Sequence, residues 1–163
     1  MKTLGIENEN FLKDLNAIWL QKFFTNEYCV KDRANAKAAS YVREIVAHGG
    51  FVVYLSGRDV PRMGAGTETN LKLRGFPVDP ESTVLMLKPD AAIPDLDFKV
   101  GAFAKIATLG DVVAGFENEP ANLNVIASRF PQAQMIFLDT IHSAKPDVPT
   151  ERAEWVSNFR IDE

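Results

Sequence analysis

The sequence predicts an α/β fold, a three-layer Rossmann-like arrangement with helices on both faces of a parallel sheet. Four short apolar runs, rich in β-branched and aromatic residues, are typical of strands covered on both faces. They occupy 51–55, 84–87, 112–116 and 135–138. Segments with helical spacing separate these runs, and such alternation is the pattern of parallel strands joined by right-handed crossovers. A chain of 163 residues suits one domain.

Two helices are predicted before the first strand. Over 10–25, apolar residues recur every three or four positions, which places them on one face of a docking helix. A second helix over 33–48 ends where Gly49 and Gly50 supply a left-handed stop. We therefore assign 1–48 to a helical segment and 51–143 to the core sheet.

The helices between the later strands have recognisable ends. One covers 67–74 and stops at Gly75, a second is capped by Asp95 and stops at Gly110, and a third begins at Pro120. The tail over 144–163 contains two prolines and is predicted to be an irregular strap. We expect Trp155 and Phe159 in that strap to pack on the body.

Composition and charge restrict the functional class. Hydrophobic residues make up 46% and charged residues 25% of the chain, which disfavours a disordered protein. The net charge of -4 provides no electrostatic attraction for nucleic acid, so a small molecule or a protein is the expected partner. Cys29 is the only cysteine, which excludes an internal disulfide, and two histidines are too few for a structural zinc site. No apolar stretch suits a membrane span or a signal peptide, so we expect a cytoplasmic protein.

Polar side chains follow every predicted strand. Ligands of open parallel sheets bind beyond the carboxyl ends of the strands, so these residues are candidates for a site. A hydroxyl, cations and carboxylates at one edge suit a phosphate with a bound metal, although strand ends are also polar wherever a chain leaves its core. The polar segments are Ser56 to Asp59, Lys88 to Asp90, Glu117 to Glu119, and Asp139 and Thr140 with His142.

Three segments of the chain, two of them at predicted strand ends, resemble sequence motifs of the haloacid dehalogenase superfamily. The segment 51–59, FVVYLSGRD, is similar to its second motif. Asp97-Phe98-Lys99, in a later helix, is similar to the third, and 112–120, VVAGFENEP, to the fourth. Their order and spacing extend the resemblance over 51–143. It implies a hydrolase fold with magnesium-dependent phosphatase chemistry.

The resemblance also implies roles for individual residues. Ser56 would bind the phosphoryl oxygen, with Gly57 and Arg58 beside it, and Lys99 would neutralise the charge of nucleophile and phosphate. Ser56 and Lys99 are thus the implied catalytic residues. The implied magnesium ligands are Glu117, Asn118 and Glu119.

The chain departs from the superfamily at its first motif. An Asp-x-Asp pair at the end of a central strand supplies the nucleophile and the acid-base group there, and no such pair precedes Ser56. The nearest substitute is Glu7 with Glu9. A glutamate is one methylene longer, and a misplacement of about 1 Å can cost on the order of a hundredfold in rate. The alternative is that both are first-turn acids that favour a helix dipole.

Loss of that strand would leave unpaired backbone groups in the centre of the sheet. The flanking strands would close up, or the stub over 3–6 would insert, or another chain would donate a strand. The first helices resemble the end of a cap insertion in a longer hydrolase. The leading function is a phosphatase acting on a small phosphorylated substrate. The alternative is a non-catalytic interaction module that pairs with another chain, or with a second copy, through its open sheet or exposed helix.

Other residues have more than one interpretation. The glycine-rich segment 63–67 opens a predicted helix, so its amides are a candidate anion site. Arg58 and Arg62 suit either a phosphorylated substrate or surface ion pairs. His142 suits either proton transfer or a structural role. Cys29 is expected to be a packed thiol.

Overall fold

A computed structural model describes residues 8–143 and 146–160 of the chain. It has six helices and five strands in this described part, in mostly alternating order along the chain. The helices are α1 Glu9–Phe23, α2 Asn26–Cys29, α3 Ala38–Ala47, α4 Val60–Leu73, α5 Asp95–Ile106 and α6 Pro120–Arg129; the strands are β1 Val52–Asp59, β2 Thr83–Lys88, β3 Ala114–Glu117, β4 Gln134–Leu138 and β5 Ala153–Val156.

The strands form two parallel sheets. One has the order β1-β2 and the other β3-β4-β5. Val53 lies opposite Val84 in the first sheet, and Phe116 lies opposite Ile136 in the second. The predicted α/β class and parallel pairing are confirmed, with the strands divided between two sheets.

The first and third strands lie apart from each other. No Cα atom of β1 comes within 8 Å of a Cα atom of β3, whereas hydrogen-bonded neighbours are about 4.8 Å apart. The alternative in which these strands close up against each other is therefore wrong. The stub over 3–6 lies outside the described residues.

Helices connect the two sheets. Helix α3 packs on β1, and its Tyr41 ring lies 5.6 Å from the ring of Phe116 in β3. Helix α5 packs on β1 and β2, while its Phe103 ring lies 5.6 Å from Phe130 at the end of α6. The sheets are thus held side by side without sharing a backbone hydrogen bond among the described residues.

The clustered apolar core lies on the second sheet. Helix α6 packs on β3 and β4 and buries its apolar face there. The core residues are Leu123, Ala127, Ala133, Met135 and Phe137. Strands β1 and β3 are only half-buried, in contrast to the prediction of strands covered on both faces.

Two predicted segments differ from the structure. Helix α4 begins at Val60, about two turns before the predicted start at residue 67, because Asp59 caps it and Pro61 suits its first turn. The tail contains β5, which pairs with β4, so it is not wholly an irregular strap. Its Trp155 ring contacts that of Phe137 at 4.8 Å, and Phe159 contacts Tyr41.

Helix α1 begins at a cap formed by Asn8, whose Oδ1 accepts hydrogen bonds from the N–H groups of Asn10 and Phe11 at 3.1 Å each. It packs against α2, and none of its residues is buried. Over the stretch that the structure covers, no helix combines the length and the apolar character that a membrane crossing requires.

Candidate functional site

The carboxyl ends of β1, β2 and β3 meet at the first two turns of α5. Asp95, the first residue of α5, lies so close to Gly57 that a Cβ there would overlap the Asp95 carboxylate. Lys88, at the end of β2, donates a hydrogen bond from Nζ to Asp95 Oδ1 at 2.8 Å. Lys99, one turn further along α5, reaches Glu117 at the end of β3. The ends of three strands therefore lie together at one edge, in contact with α5.

Lys99 and Glu117 form a buried ion pair at this edge. Nζ of Lys99 lies 2.5 Å from Oε2 of Glu117, and Lys99 is 8% exposed. The other carboxylate oxygen of Glu117 accepts the backbone N–H groups of Asn118 at 3.0 Å and Glu119 at 3.2 Å. Lys99 and Glu117, to which the resemblance gives separate roles through the third and fourth motifs, are therefore in contact.

Ser56 lies in the last part of β1, next to Gly57, and is half-buried. Its Oγ accepts the backbone N–H of Arg58 at 3.3 Å. That contact leaves the hydroxyl proton of Ser56 available to donate to a ligand. Ser56 and Lys99 are thus both placed at the edge that α5 organises.

The predicted magnesium ligands point in different directions. Asn118 Nδ2 donates to the carbonyl of Ile141 at 2.8 Å, and Glu119 accepts from the N–H and the hydroxyl of Ser143 at 2.8 and 2.5 Å. Glu117 has both oxygens engaged, one of them by an ammonium. Across 8–143 and 146–160, no group of three or more His, Cys, Asp or Glu residues is arranged to hold a metal ion. This arrangement does not fit magnesium.

Arg58, at the end of β1, and Arg62, just after it, both form contacts within the protein. Arg58 pairs with Asp32 and hydrogen-bonds Thr67 Oγ1 at 3.3 Å, so it binds the face of α4. Arg62 donates to Asp59 Oδ2 from Nε at 2.9 Å and from Nη2 at 2.6 Å. The guanidinium of Arg62 holds the pKa of the Asp59 carboxyl below its usual value, against the opposing effect of burial. Both arginines therefore form structural ion pairs here.

The glycine-rich segment 63–67 lies inside α4 and is not a helix-opening loop. Gly66 is in direct contact with the backbone of Asn26, where a Cβ would not fit, and its N–H donates to Asn26 Oδ1 at 2.7 Å. The segment packs α4 against α2. The anion-binding interpretation is wrong because these amides lie within the helix.

The remaining candidates lie away from the site or outside the described residues. Glu7 is outside them. Glu9 is the first residue of α1, a helix that contacts none of the described strands. His142 is exposed, with its ring 6.0 Å from that of Phe137 and Nδ1 3.0 Å from the Ser143 carbonyl oxygen. Cys29 is buried, as expected of a packed thiol.

Sequence reasoning missed the contribution of Asp95 and Lys88. The sequence predicts Asp95 only as a helix cap, whereas the N-cap is Pro94 and Asp95, the first residue of α5, joins Gly57 to Lys88. Lys88 was noted only as a polar residue after a strand, although it is 7% exposed. A lysine that directly follows an apolar strand and precedes a Pro-Asp turn was the available signal, because its ammonium must find a nearby acceptor.

Comparison with models of protein families, with curated proteins and with solved structures found no match to this chain.

Proposed function

We propose that this chain is a haloacid-dehalogenase-like domain that binds a phosphorylated small molecule at the edge gathered by α5. Lys99 would neutralise the phosphate, and the Ser56 hydroxyl would donate to a phosphate oxygen. The observation that carries this proposal is the buried Lys99 ammonium. It has three N–H donors, and within the described residues only Glu117 receives one of them.

A buried ammonium favours an anionic ligand for two reasons. Charge-assisted hydrogen bonds to phosphate oxygens are stronger than neutral ones, and exclusion of water strengthens the attraction. Glu117 holds Lys99 in place and balances its charge in the absence of ligand. The oxygens of a phosphate dianion would accept hydrogen bonds from the two remaining N–H donors of Lys99.

Hydrolysis of the phosphomonoester is the catalytic part of the proposal, and it rests on the resemblance. It requires a nucleophile, which Glu7 or an aspartate of another chain would supply. The superfamily uses magnesium, but the directions of Glu117, Asn118 and Glu119 do not fit that ion.

Binding of phenyl phosphate, measured by titration calorimetry without metal, tests the binding part. Loss of a hydrogen bond to a charged group costs about 1.5–3 kcal/mol, so Ser56→Ala and Lys99→Gln should each weaken binding about ten- to a hundredfold. Ser82→Ala and Lys72→Gln are matched controls. They make the same substitutions at a serine and a lysine that hydrogen-bond other residues at the surface, away from the proposed site. Unchanged affinity in a folded Ser56→Ala or Lys99→Gln variant contradicts the proposal.

Turnover of an aryl phosphate near neutral pH, with and without magnesium, tests the catalytic part. Activity that is lost in Ser56→Ala and Glu117→Ala would establish phosphoryl transfer at this edge. Glu7→Gln then identifies the nucleophile, because retention of full activity in that variant excludes Glu7. Binding of phenyl phosphate without turnover leaves a phosphate-binding domain and rejects the enzyme.

A second candidate function is an interaction module that accepts a strand between β1 and β3. The gap of more than 8 Å between their Cα atoms favours it, since a strand inserted at the usual spacing separates its neighbours by about 9.6 Å. Both strands end beside the first turns of α5. The occupant would be an extended apolar segment of another polypeptide.

Hydrogen exchange tests this second candidate. With the gap open, the amides of Val53, Leu55 and Phe116, which point away from the paired strand, should exchange much faster than those of Met135 to Leu138. Equal protection of the two sets in the chain alone rejects an open gap. Deletion of residues 1–7 is the control, because slower exchange that depends on them would identify the chain itself as the strand donor.

A further inference from the structure

The outer edge of β2 forms a second opening, on the side of the sheet away from β3. Within the described part of the chain, β2 pairs only with β1, and its other edge carries backbone groups that are free to pair. Helices α4 and α5 flank this edge and leave an apolar groove of about 990 Å³, with Val84 to Leu87 along its floor. A groove with a strand edge at its base suits a further strand.

The walls of this groove include four small residues, two of them glycines at positions where the chain's own packing leaves room for a side chain. Gly64 and Ala65 of α4, and Gly101 and Ala102 of α5, line it. A Cβ on Gly101 would meet no atom within 4 Å, and one on Gly64 would make only ordinary contacts at 3.6 Å or more. Glycine inside a helix is unfavourable relative to alanine, so these two positions weaken their helices without serving the chain's own packing.

The charged residues of α5 that line the groove indicate the kind of surface that can dock there. Asp97, Gly101 and Lys105 are spaced four residues apart, on one side of the helix, and all three line the groove. Neither Asp97 nor Lys105 forms an ion pair within the described residues. An antiparallel copy of the same helix, centred on Gly101, places each Asp97 opposite the other copy's Lys105. The pattern is therefore complementary to itself.

We infer that a second copy of this chain docks on the β2 edge, through antiparallel β2 strands related by a two-fold axis perpendicular to the sheet. With that axis, the α5 helices of the two copies lie beside each other on the same face of the joined sheet. It joins the two β1-β2 sheets into one four-stranded sheet, with two Asp97–Lys105 ion pairs between copies. This surface is remote from the gap between β1 and β3 and does not depend on the proposed phosphate site.

Sedimentation equilibrium of the full chain from about 1 to about 200 µM, a range that detects micromolar association, is the first test. We expect a reversible dimer. Asp97→Lys and Lys105→Asp should each raise the dissociation constant at least tenfold, because each creates two like-charge contacts across the axis. Lys13→Asp, an equal change of charge on exposed α1, should leave it unchanged.

Mixing the two weakened variants provides the decisive result. An Asp97→Lys chain carries two lysines on this side of α5 and a Lys105→Asp chain carries two aspartates, so the mixture should recover dimers of one chain of each kind. Native mass spectrometry distinguishes this heterodimer from both homodimers. A chain that remains monomeric at every concentration, or a dimer that neither charge change weakens, overturns the inference.

Discussion

The two sheets of this protein are stabilised in different ways. In β3-β4-β5 the central strand β4 is buried from Met135 to Leu138, and α6 covers it with apolar side chains. In β1-β2, β1 is half-buried along nearly its whole length. Two ion pairs stabilise the carboxyl ends of the strands in this first sheet: Asp59 pairs with Arg62, and Lys88 pairs with Asp95.

The difference follows from the number of neighbours. Strand β4 has a strand on each side, whereas β1 has one neighbour and faces the gap. Apolar burial therefore stabilises the second sheet, and polar contacts at strand ends contribute more to the first. Substitutions that remove apolar volume should therefore reduce the free energy of unfolding far more in the second sheet than in the first. Substitutions of ionisable groups should reduce it in the first sheet.

Phe137→Ala should produce the largest effect. Phe137 is 1% exposed at the centre of β4, and truncation of a buried phenylalanine costs about 3–5 kcal/mol. Leu55→Ala, in half-buried β1, should cost less than about 2 kcal/mol. Urea unfolding followed by circular dichroism measures both free energies. Equal losses at the two positions would mean that β1 is as well covered as β4.

Alanine at two glycines should give the next largest difference. A Cβ on Gly115 in β3 would lie 2.8 Å from Cγ2 of the β-branched Ile126, which overpacks the core at a cost of about 1–3 kcal/mol. The three atoms nearest to a Cβ on Gly57 all belong to the carboxylate of Asp95, an exposed side chain that can swing away while Lys88 keeps its hydrogen bond to the Ile93 carbonyl. Gly57→Ala should thus be milder, and thermal unfolding of both variants tests this order.

The pH dependence of stability should report on Asp59. Because Arg62 lowers the pKa of this carboxyl, its contribution is present above its unfolded pKa of about 4 and is lost as pH falls through the lower folded value. Asp59→Asn should therefore destabilise the protein at neutral pH and differ less from the wild type in acid. Urea midpoints over a pH series measure this. A constant difference at every pH would exclude the ion pair as its source.

Tyr54 should show the smallest effect, visible in a titration rather than in stability at neutral pH. Burial raises the pKa of Tyr54 to about 12, and its hydroxyl donates to the Pro77 carbonyl at 2.8 Å. The folded state disfavours the phenolate, so stability should fall as pH rises from about 10 toward 12. Ultraviolet titration should lose its highest-pH step in Tyr54→Phe, and a step that persists belongs to another tyrosine.

Local sequence signals predicted most of the fold. The apolar runs placed β1 to β4, because β-branched and aromatic residues in short blocks distinguish strands from helices. Strand β5 was missed since Ala153 to Val156 has no such block, with Glu154 inside it, and its pairing with β4 is non-local. The start of α4 was missed because Gly64 and Gly66 suggested a loop, although Asp59 and Pro61 are ordinary helix-start signals.

The candidate site was predicted in part. The resemblance implies Lys99 and Glu117 as site residues with separate roles, but their ion pair is a tertiary contact between a helix and a strand end that the sequence did not predict. The directions of Asn118 and Glu119 could not be read from the sequence. They depend on contacts with Ile141 and Ser143, more than twenty residues away.

The Lys99–Glu117 pair couples two properties of the molecule. It is a contact through which α5, packed on the first sheet, holds the end of β3 in the second. A phosphate that drew the ammonium away from Glu117 would weaken that attachment and ease the separation of β1 from β3. By thermodynamic reciprocity, anything that widened the gap would raise the affinity for phosphate by the same factor.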